Sequence, residues 1–152
     1  MKRRWLWIAL LAVAAGIQLI RPERTNPSVE PGQTLQAQLD LPPDAEAILR
    51  RSCYDCHSNE TFWPWYSGIA PVSWLIARDV EEGRRSLNFS EWGTYKTGKV
   101  LSMLERICDE TTFGEMPLSS YLVLHPSARL TAAEVQTLCD WAEQETRRIA
   151  GE

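Results

Sequence analysis

Cys53-Tyr54-Asp55-Cys56-His57 places two thiols three positions apart, with an imidazole directly after the second. The spacing C-x-x-C-H is the attachment signature of c-type haem. Cysteines so spaced add across the two vinyl groups of one porphyrin, and the adjacent histidine is held under the iron as an axial ligand. Cys53 and Cys56 are therefore the candidate thioether residues and His57 the candidate iron ligand. Tyr54 and Asp55 span the gap. A thioredoxin-like pair would need a βαβ pattern, and none is visible. A zinc site would want a second ligand pair at short spacing, but Cys108 and Cys139 are isolated. One covalently held haem c per chain is the expectation.

Haem attachment of this kind takes place outside the cytoplasm, and the N-terminus agrees with export. Lys2, Arg3 and Arg4 precede an apolar run from Trp5 to Ile20 that is broken only by Gln18. Basic residues at the start keep that end inside and send the remainder across. Residues 1–20 are read as an N-terminal membrane anchor or signal segment, with the uncleaved anchor preferred. The haem domain would then lie on the periplasmic or extracytoplasmic side of the cytoplasmic membrane.

Five prolines, at 22, 27, 31, 42 and 43, interrupt the next segment, which has no helical or strand period. Residues 21–43 read as an extended tether. Residues 44–150 then form one small domain, to whose core a porphyrin would add. From Asp40 onward stand 18 acidic and 11 basic residues, a net charge of −7. No basic stripe exists to neutralise phosphates, which excludes a nucleic-acid partner. An acidic face suits a basic redox partner at the membrane surface.

The domain reads as all-α. Pro43 starts a first helix, with Ala45, Ile48, Leu49 and Ser52 on one side, that runs into the motif at Cys53. Pro71 opens a second helix, which continues to Gly83. Ser90 and Glu91 begin a third, whose apolar face is Val100, Leu101, Leu104, Ile107 and Cys108. Thr131 and Glu134 form a capping box for the last, with Val135, Leu138, Cys139 and Ala142 inward. Cys108 and Cys139 sit on apolar helix faces as a disulfide or as two buried thiols.

Gly114-Glu115-Met116-Pro117 supplies a second signal, in a loop between the third and last helices. A thioether sulfur is a soft ligand that favours ferrous iron, and Pro117 fixes the backbone beside it. Met103 lies within the third helix, where filling the core is its role. Met116 is the candidate distal ligand and His125, the other histidine, is the alternative.

The run Cys53 to Thr61 is followed by Trp63-Pro64-Trp65-Tyr66, Ala70-Pro71-Val72-Ser73-Trp74 and Leu87-Asn88-Phe89-Ser90-Glu91-Trp92. Together with Met116-Pro117-Leu118, Tyr121 and His125-Pro126, these segments resemble the bacterial haem-binding domain family of c-type cytochromes over about residues 40–148. The resemblance implies a cytochrome-c-like small helical domain around one covalently attached haem. It carries Cys53, Cys56 and His57 over as the haem site. The aromatic cluster Phe62, Trp63, Trp65, Tyr66, Trp74 and Trp92 serves either as wall to the porphyrin or as core. Arg78, Arg84 and Arg85 read as solvated helix faces.

The expected function is a membrane-anchored monohaem cytochrome c that carries electrons. No acid–base constellation for an enzyme is present beyond the two histidines. The competing readings are a haem sensor or peroxidase-like enzyme with an exchangeable sixth ligand, and a structural haem subunit of a respiratory complex.

Overall fold

The computed structural model describes residues 2–151, which contain eight α-helices joined by short 3₁₀ turns and loops, and no strand among them. Met1, read as the initiator, lies outside the described residues. The fold is all-α. Its helices are α1 (Lys2–Ile17), α2 (Leu35–Gln38), α3 (Pro43–Ser52), α4 (Tyr54–His57), α5 (Val72–Ser86), α6 (Thr97–Thr112), α7 (Ser119–Leu124) and α8 (Ala132–Ala150).

Helix α3 buries the face its spacing predicts: Ala45, Ile48, Leu49 and Ser52. Asp44 and Glu46 occupy its first turn and Arg50 and Arg51 its last, each complementing the helix dipole. Helix α8 starts with the predicted capping box, in which Thr131 accepts from the Glu134 N–H and Glu134 accepts from the Thr131 N–H. It ends at Gly151, whose left-handed φ of 81° suits glycine. Helices α6 and α8 pack together and carry the Cys108–Cys139 disulfide between them. Met103 is in the core beside Leu104, Ile107, Leu138 and Trp141.

Three boundaries differ from the sequence reading. Helix α5 continues through Gly83 to Ser86. The third helix begins only at Thr97, because Phe89–Thr94 forms a separate 3₁₀ segment capped by Asn88 rather than Ser90. Residues 119–124, taken as loop, form α7.

The segment 21–43, expected as a tether, folds onto the domain. Leu35 is 0% exposed and Leu39 joins it in the core. The Trp141 indole donates to the Asp40 carbonyl at 3.0 Å, and the Asp40 N–H donates to the buried Glu145 carboxylate at 3.3 Å. Prolines removed the regular period here without removing the apolar side chains.

The N-terminal anchor is corrected as well, and with it the placement of the chain across a membrane. Among the described residues no helix is long and apolar enough to cross a membrane. Helix α1 has 16 residues. At about 1.5 Å per residue it falls short of the roughly 30 Å hydrocarbon layer. Residues 18–20, which would have extended it, turn toward the domain instead. Gln18 both donates to the Ala70 carbonyl and accepts its N–H, each at 3.0 Å, and the Trp74 indole donates to Ile20 O at 2.8 Å.

Candidate functional site

Cys53 ends α3, accepts the His57 N–H at its carbonyl (3.0 Å) and thereby starts the single turn of α4. The short turn puts both thiols and the imidazole on one cleft. Leu49, Leu87, Phe89 and Ile107 supply its apolar walls. Met116, Pro117 and Leu118 line it too, from 59 residues beyond His57. The cleft holds about 1170 Å³, counting space open to solvent. Cys53, Cys56, His57 and Met116 are thus brought together.

His57 is held by backbone. Its Nδ1 lies 3.0 Å from the Gly83 carbonyl and 3.2 Å from the Leu87 carbonyl. Carbonyls only accept, so Nδ1 carries the proton and Nε2 carries the lone pair. Burial drives the imidazole pKa below its usual value, against the pull of those two carbonyls. The ring is therefore neutral, the form that binds a metal. A second contact explains how α5 comes so close. A Cβ at Gly83 would lie 2.6 Å from the Cys56 carbonyl oxygen and 3.0 Å from its carbon. Glycine at this point lets the α5 carbonyl reach the His57 ring.

Burial pushes both motif thiols up to about 12, and the Asp55 and Asp79 carboxylates add to the rise at Cys56. Reactive redox cysteines need the opposite shift. Among the described residues no group of three or more His, Cys, Asp or Glu converges as a metal site. Both alternatives to haem attachment therefore lose support.

A buried polar network stands behind the motif. Ser58, Asn59, Thr61, Asn88 and Ser90 are all buried. Asn88 Nδ2 donates to Asn59 Oδ1 (2.8 Å), the Asn59 N–H to Ser90 Oγ (2.9 Å), and Thr61 Oγ1 to the Asp55 carbonyl (2.8 Å). Arg84, read as a solvated residue, donates to Ser58 O, Thr25 O, Asn26 Oδ1 and Thr61 Oγ1 at 2.8–2.9 Å. It pins residues 25–26 against the loop that follows His57. Arg78 and Arg85 are exposed, paired only with acidic neighbours on α5. The one basic side chain among the described residues lining the cleft is Arg106, beside Asp55, Asp79, Glu82 and Glu110.

The aromatic cluster divides. Trp92 is 1% exposed and belongs to the core, whereas Phe62 and Trp65 are 75% and 81% exposed. The aromatic rings that line the cleft are Phe89, stacked on Tyr54 at 4.9 Å, and Tyr121, neither of them in that cluster.

His125 lines a different, adjoining cleft of about 650 Å³. Its Nδ1 lies 3.1 Å from the Tyr121 carbonyl, so Nε2 accepts the Tyr66 hydroxyl at 3.0 Å. Both ring nitrogens are engaged, and the ring stacks on Tyr121 at 4.0 Å. Asp55, Cys56, Asp79, Leu118 and Tyr121 are shared by the two clefts.

No curated protein and no solved structure matches the chain. The sequence profile of a haem-binding domain does match, over residues 12–144, and its span takes in the motif, the cleft and both histidines. With most of its length so matched, the chain belongs to the haem-binding domain family.

Proposed function

We propose that the chain is a monohaem c-type cytochrome that carries electrons. The observation behind this reading is the convergence of the motif residues Cys53, Cys56 and His57 with Met116, 59 residues further along the chain, on one apolar cleft. The residues present fit the cofactor. Cys53 and Cys56 are free thiols, suited to thioether attachment. His57 offers a lone-pair Nε2 with no partner among the described residues, because its Nδ1–H is spent on two carbonyls. Bound haem supplies a one-electron ferric–ferrous couple.

The remaining roles belong to side chains. Met116 would hold the iron from the side opposite the motif, through its thioether. His125 is disfavoured there, since it lines the other cleft with both nitrogens occupied. Leu49, Leu87, Phe89 and Ile107 would exclude water from a porphyrin held there. Arg106 would supply a positive charge to its carboxylates. The carboxylates of Asp55, Asp79, Glu82 and Glu110 give the cleft a negative lining that favours a basic redox partner. The alternative reading, an exchangeable sixth site suited to a sensor or peroxidase, is favoured by one observation: none of the residues of α7 is buried.

Covalent attachment is tested on a denaturing gel. The wild-type band stains for haem peroxidase activity, and the Cys53→Ala, Cys56→Ala double variant does not. Complete extraction of the colour into acidified organic solvent from the wild type refutes attachment. A low-spin six-coordinate spectrum supports the carrier, whereas a high-spin spectrum with ready carbon monoxide binding supports the alternative.

A further inference from the structure

The loop carrying Met116 is attached unequally at its two ends. On the N-terminal side, Gly114 turns the chain out of α6 at φ +72°. The Glu110 carbonyl then accepts both the Glu115 and the Met116 N–H, at 2.9 and 3.0 Å. That end is tied to a helix whose Met103, Leu104 and Ile107 sit in the core. On the other side, Leu118 opens α7, a six-residue helix with nothing buried.

A helix without a buried face takes little of its position from packing and opens at low cost. Its fixed points here are polar. The Tyr121 hydroxyl donates to Asp55 Oδ2 at 2.7 Å, and His125, just beyond α7, accepts the Tyr66 hydroxyl. The first of these reaches the haem motif itself, because Asp55 stands between Cys53 and Cys56. Asp55 is in turn oriented by the Phe62 N–H on its other oxygen, at 3.1 Å. Tyr121 and Leu118 line both clefts, so this bond lies in the partition between them.

We infer that Tyr121 is a positioning residue: its hydrogen bond to Asp55 latches the strap 113–125 and so holds Met116 over the cofactor cleft. The inference rests on the reading of Met116 as sixth ligand. A hydroxyl bonded to a carboxylate belongs to the short, strong class of hydrogen bonds. Without it α7 loses its one side-chain bond to the haem motif and is held from its C-terminal end, by the His125–Tyr66 bond and the turn that buries Ala128, so the sulfur would leave the iron more often.

Imidazole binding to the ferric, haem-loaded protein is the test, since imidazole enters only when the sixth position opens. Tyr121→Phe is expected to bind imidazole about tenfold tighter or more, the worth of one hydrogen bond to a charged group. Its sulfur-to-iron charge-transfer band weakens in parallel. Asp55→Asn, whose amide oxygen still accepts from Tyr121, falls between wild type and Tyr121→Phe. If Tyr121→Phe and Asp55→Asn both bind imidazole as wild type does while Met116→Ala binds it tightly, the latch is wrong and Met116 ligation stands. If wild type lacks the charge-transfer band and binds imidazole as Met116→Ala does, the ligand reading fails, and the latch with it.

Discussion

The motif side of the cleft and the strap opposite it are built by different means. On the motif side the fixing groups are backbone carbonyls and buried amides. Gly83 and Leu87 hold His57 through their carbonyls, and Asn59, Asn88 and Ser90 bond one another out of water. The strap 113–125 is mostly exposed, with Phe113 and Val123 each 77% accessible. Buried hydrogen-bonded networks are costly to open, because every orphaned group then loses a partner. Exposed straps open cheaply. A ligand placed on the first side keeps its geometry, and one placed on the second depends on a few bonds and can be exchanged.

The contrast is broken most severely at Gly83. Gly83→Ala puts a Cβ 2.6 Å from the Cys56 carbonyl oxygen. The obstacle is backbone, so α5 itself must move away from the motif. Overpacking of this kind costs about 1–3 kcal/mol, and the upper end is expected here. Chemical denaturation of the purified variant should show a lower midpoint at unchanged slope, together with reduced haem incorporation. Wild-type stability would mean that α5 is not held against the motif. Asn88→Ala comes next. It removes the acceptor for the Ser90 N–H and the donor to Asn59 Oδ1, both buried. A loss of about 2 kcal/mol is expected by the same measurement. A change below about 0.5 kcal/mol, the range of ordinary surface substitutions, would show that the network does not brace the motif.

Local chemistry was readable from the sequence and long-range approach was not. The capping box at Thr131 and the inward face of α3 follow from spacing within one or two turns, and both appear as read. Cys53, Cys56 and His57 stand out by spacing alone. Gly83, by contrast, looks like a helix stop, because its reason for being glycine is the Cys56 carbonyl 27 positions earlier. Arg84 looks solvated for the same cause: its acceptors lie on residues 25, 26, 58 and 61. The 21–43 segment misled differently. Proline reports the absence of regular hydrogen bonding, not the absence of burial, and Leu35 is buried regardless. The apolar character of α1 was plain, while its length of 16 residues depended on where Gln18 finds partners. The pairing of Cys108 with Cys139, open in the sequence, depended on the packing of α6 on α8.

Gly114 sharpens the comparison at its gentle end, because it is the distal counterpart of Gly83 and is glycine for another reason. An added Cβ there meets nothing within 4 Å, but the residue sits at φ +72°. The penalty of Gly114→Ala is therefore conformational alone, about 1 kcal/mol for a left-handed residue carrying a side chain. It should shift the denaturation midpoint by less than half the Gly83→Ala effect. Any relief of the strain moves the Glu115 and Met116 N–H groups off the Glu110 carbonyl, so the strap responds before the fold does. The expected signature is a small change in stability with a measurable rise in imidazole affinity. A Gly114→Ala variant that loses as much stability as Gly83→Ala would show that the strap is braced as firmly as the motif, and the division between the two sides would fall.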